Sequence, residues 1–376
     1  MTPRYYQEEA IQKCWAHFAS RCAQPAVCVL PTGAGKSLVI SEVAKRIGGR
    51  VLVLQPSKEI LEQNIAKYRA LGCEATIYSA IMGKKERSAV TFATIGSVIG
   101  DRRAFAGFTQ IIIDECHVVN AEKGLYEFFL NGQHGAVVVG LTATPYRLKR
   151  IGSASVIEFL TRTQPSFFKN IIHVTQQAEL REAGFLCPIR YKRHHEVNTK
   201  NVVVRNGEYE EGSLQREFQR ARIEDLIIQE IEECGGRRAI LVFVEFLDIL
   251  ERIKQRMPGV EYVTGSTDVE ERARKIRQFR SGEVKVLVNV GVLTTGFDFP
   301  ELDTIIVAKA TRSLSLWYQI IGRGQRIAQE KGDCLVVDMC DNLRLLGDVQ
   351  DLQVVELGGK WVVKAGRKII TNKMLE

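Results

Sequence analysis

The segment Pro31-Thr32-Gly33-Ala34-Gly35-Lys36-Ser37 stands directly after the apolar run 26–30 (AVCVL) and directly before the mixed run SLVISEVAKRI. That is where a polyphosphate can be held. Gly33 and Gly35 let backbone N–H groups curl around phosphate oxygens, Thr32 and Ala34 complete the loop, and the helix that follows adds positive potential at its N-terminus. Lys36 reaches the β and γ phosphates, and Ser37 can ligate Mg2+. The strict GxxxxGK[ST] spacing asks for glycine at position 30, which here is Leu30. A second group, IIIDECH at 111–117, is an apolar run ending in two acids. At a strand end beside a phosphate loop, Asp114 can hold Mg2+ through water, and Glu115 can orient and deprotonate an attacking water. The plain alternatives are a Gly-rich turn with an incidental lysine and a pair of acids at a helix start. Finding both groups in one chain argues against each.

A scaffold of parallel strands and helices must position these groups. Short β-rich runs alternate with longer helical segments, the signature of an α/β fold. One set lies at 26–30, 51–54, 90–93, 110–113 and 136–141, and a second at 239–244, 260–263, 284–290, 304–308 and 334–338. Two similar sets predict two tandem α/β domains, with residues 1–187 forming the first, 188–357 the second and 358–376 a tail. Asn206-Gly207 in VVVRNGEYE supplies a tight hairpin turn, and WVVKAGRKII predicts another at Ala365-Gly366. The tail hairpin, with Trp361, is expected to pack at the edge of the second domain; a strand-splitting wedge is the alternative. The segment 193–235 reads as either the first strand and helix of the second domain or a small insertion that touches the substrate.

The 376 residues are 45% hydrophobic and 26% charged, enough for two cores and not the composition of a disordered chain. No run reaches membrane-spanning length, and MTPRYYQEEA lacks the basic start and apolar stretch of a secretion signal. A cytoplasmic protein without a membrane partner is expected. Nine scattered cysteines without a CxxC pair suggest neither a disulfide framework nor a zinc or iron–sulfur cage. A net charge of +8 favours a polyanionic partner, although charge alone identifies none.

With these residues in hand, the order of motifs resembles the superfamily 2 helicases over most of the chain, from about Arg4 to Asp338. Helicases commonly use the shortened TGxGK[ST] loop, which accounts for Leu30. The resemblance implies two tandem RecA-like domains, each a mainly parallel sheet flanked by helices. RYYQ at 4–7 is similar to the family's adenine-reading entry, so Arg4 and Gln7 are implied at the nucleotide, Gln7 contacts the base, and the nucleotide is ATP. LQPSKEILEQ at 54–63 and TFATIGSV at 91–98 resemble segments that hold nucleic-acid phosphates, which nominates Pro56, Ser57, Lys58, Thr94 and Ser97. A Ser or Thr near a strand end is also commonly a simple cap. LTATP at 141–145 resembles the third motif, which links nucleotide state to nucleic-acid grip.

In the second half, VGVLTTGFDFP at 290–300 is similar to the fifth motif: Gly296 and Asp298 are implied at the nucleotide, Thr294 and Thr295 at the strand. SLWYQIIGRGQR at 315–326 resembles the sixth. Its Gln319, Arg323 and Arg326 are spaced by four and three, so one helical face is expected to present all of them to a γ-phosphate. Arginine fingers of this kind contribute about 10³–10⁵ in rate. FVEFLDILERI, VTGST and ERARKIRQFRSGE also match the second-domain pattern. Lys309, Arg312, Arg272, Arg274, Lys275 and Arg277 are further cations that could face phosphates, although solvated basic helices are commoner.

The first half holds Lys36, Asp114 and Glu115 without a finger, and the second holds Arg323 and Arg326 without a phosphate loop. Hydrolysis is therefore expected to need both. TTGFDFP with QIIGRGQR most resembles the UvsW-like and type III restriction-type group, including phage branch-migration helicases. That implies ATP-driven unwinding or remodelling of single-stranded, forked or branched DNA, 3′ to 5′, by a monomer. RNA is the main competitor, because the DECH spelling also occurs in RNA-directed relatives, and a motor subunit of a restriction or nuclease complex is a further alternative.

Overall fold

The structure is a computed structural model that describes residues 2–120, 124–133, 135–151, 154–293 and 297–372. Of these, residues 2–147, 158–176 and 354–363 group into one compact unit, and the remainder group into a second.

The first unit runs α1 (Tyr5–Ala19), β1 (Ala26–Val29), α2 (Lys36–Ile47), β2 (Val51–Gln55), α3 (Lys58–Arg69), β3 (Thr76–Ser79), β4 (Lys84–Lys85), β5 (Val90–Thr94), α4 (Ile95–Ile99), β6 (Gln110–Asp114), α5 (Leu125–Leu130) and β7 (Val137–Thr142). After a ribbon of β8 (Tyr146–Ile151) and β9 (Ala154–Phe159), most of which groups with the second unit, β10 (Asn170–Val174) completes the first unit's sheet. The strand order is β10-β1-β7-β6-β2-β5-β3-β4, and only the short β3–β4 pairing is antiparallel. Central parallel strands covered on both faces read as unbroken apolar runs, which is why β1, β2 and β5 are buried at every position. Phe105 sits 5.5 Å from Phe108 and 4.9 Å from Tyr78, ring centre to ring centre, within this core. Each such fully buried phenylalanine contributes about 1.5–3 kcal/mol.

The second unit contains α6 (Gln177–Glu182), β11 (Ile189–Arg193), a hairpin of β12 (Val204–Arg205) and β13 (Glu208–Tyr209), α7 (Glu211–Ala221), α8 (Ile223–Glu233), β14 (Ile240–Val244), α9 (Leu247–Arg256), β15 (Glu261–Val263), α10 (Val269–Ser281), β16 (Val286–Val290), β17 (Thr304–Ala308), α11 (Leu314–Gly322), β18 (Cys334–Asp338) and α12 (Asn342–Leu346). Its sheet, β11-β18-β17-β14-β16-β15, is parallel throughout. Local chemistry sets the helix limits. The Asp268 carboxylate accepts from the backbone N–H of Glu270 at 2.8 Å to start α10, and Gly282, at φ +80°, ends it. In the β12–β13 turn Asn206 and Gly207 take φ values of +52° and +76°, the two positive angles that a two-residue hairpin loop requires.

Among the strands that escape the sequence pattern, β10 and β11 carry polar residues and lie at sheet edges. The chain also changes unit at 176/177, ahead of the 187/188 boundary expected from sequence. Leu180 on α6 is fully buried, the Arg181 guanidinium donates to the Gln350 carbonyl, and the backbone N–H of Cys187 donates to Gln325 O at 2.8 Å, all within the second unit. The tail is a three-stranded sheet, β19 (Leu352–Leu357), β20 (Lys360–Ala365) and β21 (Lys368–Ile369), that starts before the expected 358. Its residues 354–363 group with the first unit and not the second. Gln176 explains this, since its amide donates to Val354 O at 2.7 Å and Val354 packs on the first core. No helix among the described residues is long and apolar enough to cross a membrane.

Candidate active site

The loop after β1 and the acids closing β6 both lie at the carboxyl ends of parallel strands, where open α/β sheets bind ligands, and only β7 separates the two strands. Gly33 at φ +94° and Gly35 at φ +77° turn the loop into α2, with Lys36 and Ser37 in its first turn. A Cβ on Gly35 would collide with the Gln7 side-chain amide nitrogen. Gln7 is buried and donates from Nε2 to the Ala34 carbonyl at 2.7 Å, while its Oε1 accepts from the Arg4 backbone N–H at 2.9 Å. Tyr6 adds a hydroxyl bond to the same carbonyl at 3.1 Å. The RYYQ segment therefore sits on the phosphate loop itself.

Lys36 joins the loop to the acids. Its Nζ bonds the Glu115 carboxylate and lies 3.2 Å from Asp114 Oδ1. Burial works against the lysine's charge, but the attraction of Asp114 and then Glu115 prevails and pushes its pKa up to about 12. Burial would also raise Glu115, yet Lys36 and His117 hold it below the ordinary carboxylate range. Asp114 behaves oppositely: burial raises it, Lys36 opposes that rise, and Glu115 adds to it. Asn64 on α3 donates to Asp114 Oδ2 at 2.7 Å, and the backbone N–H of Glu115 donates to Oδ1 at 2.8 Å. His117 Nδ1 lies 3.3 Å from Glu115 Oε2 and 3.0 Å from Thr142 Oγ1, so it connects the acids to the LTATP segment at the end of β7. Asn64 and His117 have roles that spacing alone did not reveal, although His117 stands inside IIIDECH and Asn64 directly follows LQPSKEILEQ. The Ser37 hydroxyl and Asp114 carboxylate are both oxygen donors of the kind a hard cation such as Mg2+ takes.

In the second unit the helical expectation for the arginines fails. Gln319 is in α11, but that helix ends at Gly322; Arg323 is its C-cap, and Arg326 lies in the following loop. Gly324 is the reason. A Cβ there would press on Cys334 and Ile305, so the chain flattens against β17 and β18 as only glycine permits. The loop instead fastens to the TTGFDFP segment: Arg323 Nη1 donates to Phe297 O at 2.8 Å, and Arg326 Nε pairs with Asp298 Oδ1 at 3.1 Å. Arg280, unmarked by the sequence, donates to Asp298 O at 2.7 Å. Thr294, Thr295 and Gly296 lie outside the described residues.

The candidate nucleic-acid contacts are mostly spoken for. Ser57 caps α3, accepting from Ile60 N at 3.4 Å; Lys58 faces Glu62 at 3.7 Å; Pro56 leads into this cap after β2. Buried Thr94 bonds Ser97 at 2.9 Å, and Ser97 accepts from Ala80 N at 2.8 Å. Among the further cations, Lys275 is buried between Glu261 and Glu271, Arg312 is buried over the Tyr209 ring, and Lys309 is paired with Glu245 at 2.7 Å. Arg272 donates to the carbonyls of Thr264, Gly265 and Thr267, and Arg274 to Gln278.

Two family models match in the order of the two units: "Type III restriction enzyme, res subunit" over residues 1–147 and "Helicase conserved C-terminal domain" over residues 221–328. A 51.5 kDa protein of a Lactococcus phage is 25% identical over 354 residues, covering 91% of this chain and 72% of that protein. A Halobacterium salinarum protein provisionally named DNA 3′-5′ helicase Rad25 is 28% identical over 300 residues, covering 76% of this chain. The chain spans 46% of that archaeal protein's length. Among solved structures, the ATP-dependent Type ISP restriction-modification enzyme LlaBIII bound to DNA superposes with a TM-score of 0.65 at 15% identity, over 89% of this chain and 27% of that one. The phosphate loop and DECH acids on one RecA-like sheet, the arginine loop on another and the matching pair of models agree: the chain belongs to the superfamily 2 helicases, enzymes that hydrolyse ATP.

Proposed function

We propose that the chain is an ATP-driven motor that moves 3′ to 5′ on single-stranded or forked DNA and remodels branches there. The observation that carries the ATP-driven part of this reading is the ion cluster of Lys36, Asp114 and Glu115 held by Asn64 and His117. Ser37 and Asp114 would hold Mg2+, which neutralises charge on the β and γ phosphates.

The chain's own residues supply the remaining steps. Gln7 contacts the base, with Arg4 beside it, and the N–H groups of Thr32, Gly33, Ala34 and Gly35 cradle the phosphates. Lys36 turns from the acids to the β and γ phosphates. Glu115 then loses its main counter-charge, its proton affinity climbs, and it accepts the proton of the attacking water. Binding of the nucleotide thus switches on the base. Arg323 and Arg326, positioned with Gln319, neutralise charge as the γ-phosphate departs, and Gly296 and Asp298 border the nucleotide on their side. Pro56, Ser57, Lys58, Thr94, Ser97, Thr294 and Thr295 track the backbone, through main-chain groups where their side chains already serve the fold. His117 reports the state of Glu115 to Thr142. Opening one base-pair step costs about 1.4 kcal/mol, well within what one ATP provides.

The name of the archaeal relative supports DNA and the 3′-5′ direction. ATP turnover measured with single-stranded DNA, duplex DNA, forked DNA and RNA tests the choice: strongest stimulation by forked or single-stranded DNA is expected, and stimulation by RNA alone would overturn it.

A further inference from the structure

We propose that Lys331 is a positioning residue for ATP hydrolysis, holding the arginine loop in register with the TTGFDFP segment. Its Nζ donates to Gly324 O at 2.7 Å, Arg326 O at 2.8 Å and Pro300 O at 3.0 Å. Those bonds use all three donors of the ammonium. The Gln325 carbonyl between them accepts from the Cys187 backbone N–H at 2.8 Å. Three successive carbonyls of the loop are therefore fixed, two by one side chain, and the third anchor of that side chain lies two residues past Asp298, the ion-pair partner of Arg326. Arg323 on Phe297 O makes a further link between the same segments. Loop and segment move as one piece while Lys331 is charged.

The inference rests on the proposal that Arg323 and Arg326 act on the γ-phosphate. A reactive group displaced by about 1 Å loses on the order of 100-fold in rate. Lys331→Met should therefore lower kcat by about 100-fold with far less change in KM for ATP. Lys331→Arg, whose fork still donates to two carbonyls, should keep part of the rate. Burial lowers the pKa of Lys331 from the ordinary lysine value. The groups facing it are the thiols of Cys334 and Cys187, the Asp303 carboxylate and the Arg326 guanidinium. Wild-type kcat should consequently fall on the alkaline side, and that limb should vanish in Lys331→Arg, which keeps its charge.

The experiment is DNA-stimulated ATP turnover against pH for the full chain with Lys331→Met, Lys331→Arg, Arg326→Ala and Lys331→Met/Arg326→Ala. Support is a loss in the double variant clearly smaller than the product of the two single losses, together with partial rescue by arginine. If Arg326→Ala is slow but Lys331→Met turns over normally, or if the two losses multiply, the role of Lys331 is refuted. If Arg326→Ala itself turns over normally, the arginine assignment fails instead.

Discussion

Replacing Lys36 should destabilise the protein as well as stop its chemistry. Lys36 is the shared counter-charge of two adjacent carboxylates, with side-chain exposures of 15% for Lys36, 3% for Asp114 and 20% for Glu115. Lys36→Met keeps the length and removes the charge, leaving buried Asp114 and half-buried Glu115 without the cation they share. Breaking a buried pair in this one-sided way costs about 3–5 kcal/mol. For a unit of this size, each kcal/mol lowers Tm by roughly 2–4 °C. The dependence on pH has a defined sign. Glu115 is depressed, so its contribution is complete above its ordinary value of 4.5 and is lost as pH falls through the lower folded value. Lys36 is raised, so its contribution is complete below 10.5 and is lost as pH rises through about 12. The wild-type advantage should thus form a plateau between these limits and shrink in acid, where the variant's carboxylates take up protons. Urea denaturation of both proteins between pH 4 and pH 8 measures it. Lys36→Met/Glu115→Gln should recover part of the loss, because a single acid, still held by Asn64, remains. A deficit below about 1 kcal/mol, the worth of an exposed pair, or one that does not change with pH, would refute the claim that Lys36 holds these acids.

Glu115→Gln should abolish ATP turnover while leaving DNA binding by fluorescence anisotropy largely intact; lost binding with preserved turnover would reverse the assignment. Arg326→Ala should slow hydrolysis by about 10³-fold with little change in ATP affinity, measured by single-turnover kinetics beside equilibrium titration. DNA affinity should fall steeply and log-linearly with salt, as phosphate contacts require, and a flat salt response would argue against backbone tracking.

The strands that carry the site were legible because central parallel strands are apolar on both faces: 26–30, 51–54, 90–93 and 110–113 all appear within a residue or so of the expected limits. Edge strands β10 and β11 were not, since an edge tolerates Asn170, His173, Arg190 and Lys192. The arginine loop misled for a different reason. Spacing alone suggests a helix through Arg326, but the tight approach of Gly324 to Cys334 is a tertiary constraint that periodicity does not contain. Asn64, His117 and Lys331 stayed hidden likewise, because Asp114, Thr142 and Pro300, the partners through which they act, are distant in sequence.

Counting electron pairs and protons at Gln7 has a consequence for nucleotide choice. Its amide has two N–H bonds and two carbonyl lone pairs; Ala34 O takes one N–H, and the Arg4 N–H takes one lone pair. One donor and one acceptor remain, side by side. Adenine offers the complement along one edge, an amino donor at N6 beside an acceptor at N7. Guanine offers acceptors at both corresponding positions, so its O6 would meet the remaining lone pair head on. With Gln7 at the base, as proposed above, the contacts that fasten RYYQ to the phosphate loop would also leave it a two-letter code that admits ATP and turns GTP away.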